Sequence, residues 1–458
     1  MPAPSLSAAQ ASAMLIGIVV GIGIFKTPPV VAANVASEFA FIALWVVGGV
    51  LTMIGALCYA ELGSSRPHAG GEYQYLKEAY GDGLSFLFAW GRMTVIQSGA
   101  IAAVAFAYGD YANVVLPLGT NGPAVHAALS VGVLSALQLG GTSLSGTLQI
   151  VLTALTVLLI VAMAAAGFIV AVDAPEVSTA VAPEIGGAVG LALVFILLTY
   201  GGWNEVAYLS GEIRDAKGNM LRVLVAGTGI VVLLYLMINL ALVLSVGLEG
   251  LRREKLVTEP IELLFGRGGV LVAAVIVCCA ALSTLFGTIF TGARTIMALG
   301  EGFSPLRFVG ERGRGGSPSR AILLQGAIVL GLIGFGATAR DGFTAMVEYT
   351  APTFWAFMAL IGLSLIIFRL REPDRAIPYK VPLYPLPPII LCVTALYLAY
   401  ASVLYTGVGA LVGLAILATG ITVYLLGQPR SKTRVAPDSN ESADGPVRNA
   451  KVADLPSI

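Results

Sequence analysis

Charge is scarce in this chain. Of 458 residues only 11% are Asp, Glu, Lys or Arg, while 57% are hydrophobic and the mean hydropathy is +0.88. Ordinary soluble domains carry about 25% charged residues. No globular core absorbs so much apolar sequence, which excludes a soluble domain and leaves a polytopic membrane protein. Basic and acidic residues balance at 26 each, so net charge gives no reason to expect a nucleic-acid partner. Histidine is limited to His68 and His126, both at segment edges and without metal-ligand spacing. The four cysteines, Cys58, Cys278, Cys279 and Cys392, all lie in apolar runs, where a thiol packs as a small apolar side chain. No nucleophile–base pair stands out, so the sequence reads against a membrane enzyme and no cofactor is expected. No Lys or Arg precedes Lys26, and no small-residue cleavage pattern follows a short apolar stretch, which reads against a cleaved signal peptide.

Long apolar runs are what the chain has in abundance. A spanning helix needs about 20 mostly apolar residues, and on that rule the sequence predicts an all-α protein of about twelve spans. They fall near 12–35, 39–63, 84–115, 122–142, 146–171, 186–212, 219–247, 267–299, 319–338, 342–369, 386–404 and 407–427. With the N-terminus in the cytoplasm, the loops around Arg66, Arg214, Arg307–Arg320 and Arg369–Lys380 are inside, and they hold most of the basic residues. Both termini are then cytoplasmic in a plasma (inner) membrane. The segment Gly247–Gly268 carries basic residues on the outer side and reads as a mixed-charge surface hairpin. Segment 64–83 reads as an interfacial helix, and the proline-punctuated 370–385 cannot be a regular helix. Residues 428–458 lack apolar periodicity and are expected to form a disordered tail.

Two glycine stretches interrupt apolar runs near their middles: Gly21-Ile22-Gly23-Ile24-Phe25, and Tyr200-Gly201-Gly202-Trp203-Asn204. Glycine weakens a membrane helix and bares its amides and carbonyls, which lipid tolerates only where the break lines a cavity. The breaks fall in the first and sixth spans, so two halves of five spans each open on a break, and the chain divides into a short N-terminus (1–11), a half at 12–171, an inverted half at 186–369, two further spans at 386–427, and the tail. Paired breaks point to a transporter's substrate site. A half-helix start suits a carboxylate and a half-helix end suits an ammonium, so two broken helices can hold an amino acid zwitterion without a buried charged side chain. Gly17, Gly21 and Gly23 could instead serve close helix packing, as small residues do in membranes. Tyr200 and Trp203 either wall the side-chain pocket or pack in the bundle. Asn204 reads as a site residue. Glu205 points about 100° away from it. Arg92 and Glu348 sit about two turns inside their spans and read first as structural ion pairs, second as gates.

These stretches resemble the amino acid–polyamine–organocation (APC) superfamily and, within it, the L-type amino acid transporters. The resemblance runs over residues 15–385 and is carried by Gly21–Phe25, by Tyr59-Ala60-Glu61-Leu62 with Pro67 and Gly70-Gly71-Glu72-Tyr73, and by Tyr200–Asn204. Glu212-Ile213 with Asn219, Arg294 within Phe290–Pro305, and Pro378-Tyr379-Lys380-Val381-Pro382 add to it. It implies the LeuT-type fold of five plus five inverted helices and two extra, with alternating access. It further implies that the Ile22 and Gly23 amides hold the substrate carboxylate, and that the carbonyls of Ile18, Leu198 and Gly201 hold the amine. Gly21, Tyr200, Trp203 and Asn204 complete the expected site. Three positions depart from the pattern: Ile22 replaces a hydroxyl or small residue, Leu198 an aromatic gate, and Thr156 a lysine that can stand in for sodium. Thr156, Ser283 and Thr284 are therefore the candidate coupling residues. Animal L-type exchangers attach to a glycoprotein through an extracellular cysteine between spans three and four. Residues 116–125 contain none, so no covalently attached partner chain is expected. The resulting expectation is a permease for neutral amino acids, an exchanger or ion-coupled importer. A cationic amino acid or polyamine permease is the alternative should Glu205 face the cavity, and a non-transporting membrane sensor of amino acids is the alternative of another class.

Overall fold

A computed structural model describes residues 7–68, 70–139, 146–173, 188–210, 213–253, 259–303, 306–311, 318–405 and 408–427. The expected tail at 428–458 and Glu212 lie outside them. Among the described residues the regular elements are helices, and eleven helical stretches are long and apolar enough to cross a membrane. A twelfth, shorter apolar helix is half of a broken span.

The first span comprises α1 (Ala8–Val19), a 3₁₀ turn Ile22–Phe25 and α2 (Thr27–Ala33). Ser7 opens α1 through a reciprocal capping box with Gln10. Pro28 and Pro29 stand in the first turn of α2, where a missing amide costs no helical bond. The second span is α3 (Glu38–Ser65), started by Ser37 accepting from the Ala40 amide. A loop helix, α4 (Gly71–Tyr80), follows where the sequence places a helix between spans two and three. The third span joins α5 (Asp82–Gly91) to α6 (Gln97–Val115) through a π-helical turn, Arg92–Ile96. Then come α7 (Gly122–Leu139), α8 (Gly146–Asp173), and the sixth span, split into α9 (Val189–Thr199), a 3₁₀ turn Trp203–Glu205 and α10 (Val206–Leu209). The remainder is α11 (Ala216–Arg253), α12 (Glu259–Gly302), the short α13 (Arg307–Gly310), α14 (Ser319–Gly336), α15 (Gly342–Arg371), α16 (Leu386–Tyr405) and α17 (Val408–Gly427).

Residues 254–258 of the expected surface hairpin at 247–268 lie outside the described residues, and the rest of it belongs to helices. The chain stays helical to Arg253 and is helical again from Glu259, with the direction changing at Gly247 (φ 68°) and Gly266 (φ 62°), a region only glycine enters cheaply. The basic excess there also has a structural use. Arg252 donates to the carbonyls of Ala32 at 2.9 Å and Val35 at 2.6 Å, closing the C-terminal end of α2.

One face of the bundle is fastened by ion pairs. The Arg369 guanidinium grips buried Glu61 with two bonds of 2.7 Å, and the Val381 amide donates to the same carboxylate at 2.7 Å. Arg66 reaches Glu78 at 2.7 Å and Glu372 at 2.8 Å, with its guanidinium 3.8 Å from the Phe368 ring centre. Residues 372–385, non-helical as their prolines require, thus bind the ends of α3, α4 and α15 together. Elsewhere the surface is studded with Leu233, Val272, Leu323 and Leu425, all exposed, as a lipid-facing surface should be.

Candidate substrate site and its gates

α1 ends at Val19 because Val20 (ψ 67°) and Gly21 (ψ −161°) leave helical geometry. The Val19 carbonyl, deprived of its helical donor, accepts from the Gly21 amide at 2.7 Å and the Tyr235 hydroxyl at 2.8 Å. Gly21 itself is loosely surrounded: a Cβ there would find the Ile18 and Val19 carbonyl oxygens at 3.9 Å and Thr284 Oγ1 at 4.0 Å. That space is lined with oxygen. In the sixth span α9 ends at Thr199, the Gly201 amide turns back to the Leu198 carbonyl at 3.0 Å, and Gly202 adopts φ 106°.

The two breaks touch. A Cβ on Gly202 would lie 3.1 Å from Ile18 Cγ2 and 3.4 Å from Val19 Cα, and one on Gly23 would lie 3.3 Å from Thr199 Cγ2. The absence of side chains at Gly23 and Gly202 is therefore what lets one broken backbone approach the other. Thr27 and Thr199 complete the contact with hydroxyls 2.6 Å apart.

A buried polar cluster centred on Glu72 and Arg92 lies beside the break in the sixth span. Glu72, at the start of α4, accepts from Tyr59 (2.6 Å) and Asn204 (3.0 Å) on one oxygen, and from Tyr208 (2.8 Å) and Arg92 (3.4 Å) on the other. Arg92 Nη2 donates to both oxygens of Glu205 at 2.8 Å, and Nη1 to the Tyr208 hydroxyl at 3.0 Å. Burial pushes the Glu72 carboxyl above its usual range, with Arg92 opposing the shift and the Glu205 charge adding to it. At the opposite end, Lys26 is buried and pairs with Asp110 at 2.7 Å and Asp341 at 3.6 Å, while the Tyr111 hydroxyl donates to the Phe25 carbonyl at 2.9 Å. Each end of the broken pair thus carries its own buried ion-pair cluster.

Comparison with known proteins gives the family. The profile described as amino acid permease matches residues 6–426. The chain belongs to the amino acid permease family. Among curated proteins it is similar to the b(0,+)-type amino acid transporter 1 of Mus musculus, 28% identical over 406 residues that cover 85% of this chain and 81% of that protein. The Homo sapiens counterpart is 27% identical over the same length and shares. The large neutral amino acids transporter small subunit 2 of Mus musculus is 28% identical over 438 residues, covering 91% of this chain and 80% of that one. The order of spans, with the first and sixth broken, is the LeuT-type architecture.

Within this permease the residues expected at the site divide into two groups. Ile18, Gly21, Ile22, Gly23, Leu198 and Gly201 all lie at the facing breaks, the Leu198 carbonyl being already engaged by Gly201. Tyr200 and Trp203 have other contacts. The Tyr200 ring packs between Trp45 and Tyr235 and its hydroxyl donates to the Trp45 carbonyl at 3.2 Å. Trp203 lies edge-on to Tyr59 at 4.9 Å and against Gly55. Asn204 binds Glu72 rather than open space. Thr156 and Ser283 are buried, and Thr284 is the one of the three that borders Gly21. The sequence reading flagged Arg92 and Glu205 but not their partner Glu72, and it missed Lys26. A lysine within an apolar span demands a counter-charge, which was the available signal.

Proposed function

We propose that this permease carries neutral amino acids across the membrane by alternating access, as an exchanger. The observation that carries the reading is the mutual contact of the two breaks, Gly23 against Thr199 and Gly202 against Ile18 and Val19. Around that contact, the amides of Ile22 and Gly23 begin a helical turn and suit a carboxylate, while the carbonyls of Ile18 and Leu198 at helix ends, and of Gly201 just beyond, suit an ammonium. A zwitterion matches both without a buried charged side chain. Closures at both ends fit a substrate admitted from one face at a time: Lys26 with Asp110 and Asp341 on one, Arg92 with Glu72 and Glu205 on the other. The first of these is the outer closure on our reading, since the basic loops place 66–81 and 210–215 in the cytoplasm. A neutral substrate is favoured because both oxygens of Glu205 are already engaged by Arg92.

With threonine at 156, exchange proceeds without sodium, and Thr156→Lys is tolerated. The missing cysteine at 116–125 supports operation without a covalently attached partner. The test is counterflow in proteoliposomes with a panel of labelled amino acids, with and without sodium and a pH gradient. Accelerated uptake of neutral amino acids into preloaded vesicles is expected, insensitive to either gradient. A steep sodium dependence abolished by Thr156→Lys would replace exchange with sodium coupling.

A further inference from the structure

We infer that Arg92 sets the charge class of the substrate: its guanidinium occupies, from within the protein, the place that the side chain of a cationic amino acid would take against Glu205. The inference rests on the neutral-substrate reading above and adds the residue that enforces it.

The position is right for such a role. Gly202 touches Ile18 and Val19 at the first break, and Glu205 follows one 3₁₀ turn later, about 6 Å along the axis at ~2 Å per residue. That separation is of the order of an extended lysyl or arginyl side chain. A zwitterion held at the breaks could therefore lay a cationic side chain on Glu205, were that carboxylate free. It is not free. Arg92, 3% exposed at the head of the π-helical turn, grips both its oxygens. Glu205 remains a quarter exposed, so the carboxylate rather than the guanidinium is the accessible member of the pair.

The surroundings of Arg92 are those of a cation-recognition site. Two carboxylates, Glu72 and Glu205, converge on it, and the Tyr208 ring lies 4.3 Å from its guanidinium carbon. Bidentate carboxylate and an aromatic face are the usual means of holding a guanidinium or ammonium. Tyr59 and Asn204 supply the remaining polar groups, both donating to Glu72. Arg92 Nε meets no acceptor although it is buried. The guanidinium is held only by its Nη edge and ring face, which are the parts a free ligand also presents. Deleting the side chain leaves two acids, a tyrosine face and a void shaped for a guanidinium.

Two measurements on the purified protein test this. In detergent, methylguanidinium should raise the melting temperature of Arg92→Ala but not of the wild type or of Arg92→Ala/Glu205→Gln. In proteoliposome counterflow, unlabelled L-lysine and L-arginine should leave neutral amino acid exchange by the wild type untouched and compete in Arg92→Ala. Half-inhibition in the variant should come at a concentration lower by about tenfold or more, the effect of one charged hydrogen bond. Glu205→Gln alone should still exclude both, because Arg92 remains; a merely structural pair would give the two single variants the same phenotype. Arg92→Gln, which keeps most of the stem and loses the charge, repeats both arms should Arg92→Ala not fold. A folded Arg92 variant that ignores methylguanidinium and still excludes lysine overturns the inference. So does a wild type already inhibited by lysine, or unfolding of both variants that methylguanidinium does not reverse. A wild type that exchanges no neutral amino acid would overturn the transport reading instead, while the methylguanidinium arm still decides whether the site exists.

Discussion

The hydroxyls of Thr27 and Thr199 lie 2.6 Å apart and join the restarted first span to the end of α9. Thr199 also donates to the Phe195 carbonyl at 2.8 Å. Its single proton is thereby spent, so Thr27 is the donor of the bridge. Thr199→Val keeps the shape that packs on Gly23 and strands the Thr27 hydroxyl in a fully buried position. We expect a loss of about 1–3 kcal/mol for that variant, and much less for Thr27→Val/Thr199→Val, in which neither hydroxyl is left alone. Thermal melting of the two variants in detergent checks the difference.

Gly23→Val places a branched Cβ where the second broken backbone approaches, 3.3 Å from Thr199 Cγ2. The variant should insert and melt cooperatively yet lose substrate binding, because the amide of residue 23 can no longer be approached. Binding of the best wild-type substrate, followed by thermal shift, is the readout. Retained affinity would remove the first break from the site.

Arg369→Ala should be among the most destabilising surface-end substitutions, by about 3–5 kcal/mol, because it leaves buried Glu61 without its cation. Glu61→Gln/Arg369→Met should cost less, since the Val381 amide keeps an acceptor and no unpaired charge remains. Denaturation midpoints of the two proteins give the comparison.

Arg375 and, after it, Arg66 hold the partly exposed Glu372 carboxyl below the usual carboxylate range. A depressed folded-state pKa stabilises above the unfolded value, about 4.3 for Glu, and that contribution disappears as pH falls through the lower folded value. Solvent screening keeps it small. Between pH 6 and pH 3, values that bracket the unfolded pKa of about 4.3, Glu372→Gln should lose slightly less melting temperature than the wild type. An identical slope in both proteins would count against the Arg375–Glu372–Arg66 linkage.

The spans were legible because burial in lipid imposes long apolar runs, and the breaks because only glycine makes so irregular a backbone cheap at Gly202. The loop helix α4 and the irregular 372–385 were legible for the same local reasons, amphipathic spacing and proline. The pairings were not. Glu72 lies 20 residues before Arg92, and Glu205 lies 113 after it; nothing in the local pattern says that three helix ends converge. Tyr200 and Trp203 show the same limit. Their place beside a break left a pocket wall and bundle packing both open, because which way an aromatic ring turns depends on Trp45, Tyr235, Gly55 and Tyr59, which come from other spans. At 247–268 the charge pattern pointed to a surface hairpin but not to its helical arms, which change direction at the positive-φ Gly247 and Gly266.

Gly17 lies directly against Thr153, so that a Cβ added there would overlap the threonine hydroxyl. α1, the first half of the first span, therefore rests on α8 as a lid rests on its seat, without clearance. The second half, α2, is latched to α9 through Thr27, and the non-helical Val20–Gly21 lies between them. The two halves answer to different neighbours. One added methyl at position 17 would act as a shim, prying α1 from its seat on α8 while α2 stays latched to α9.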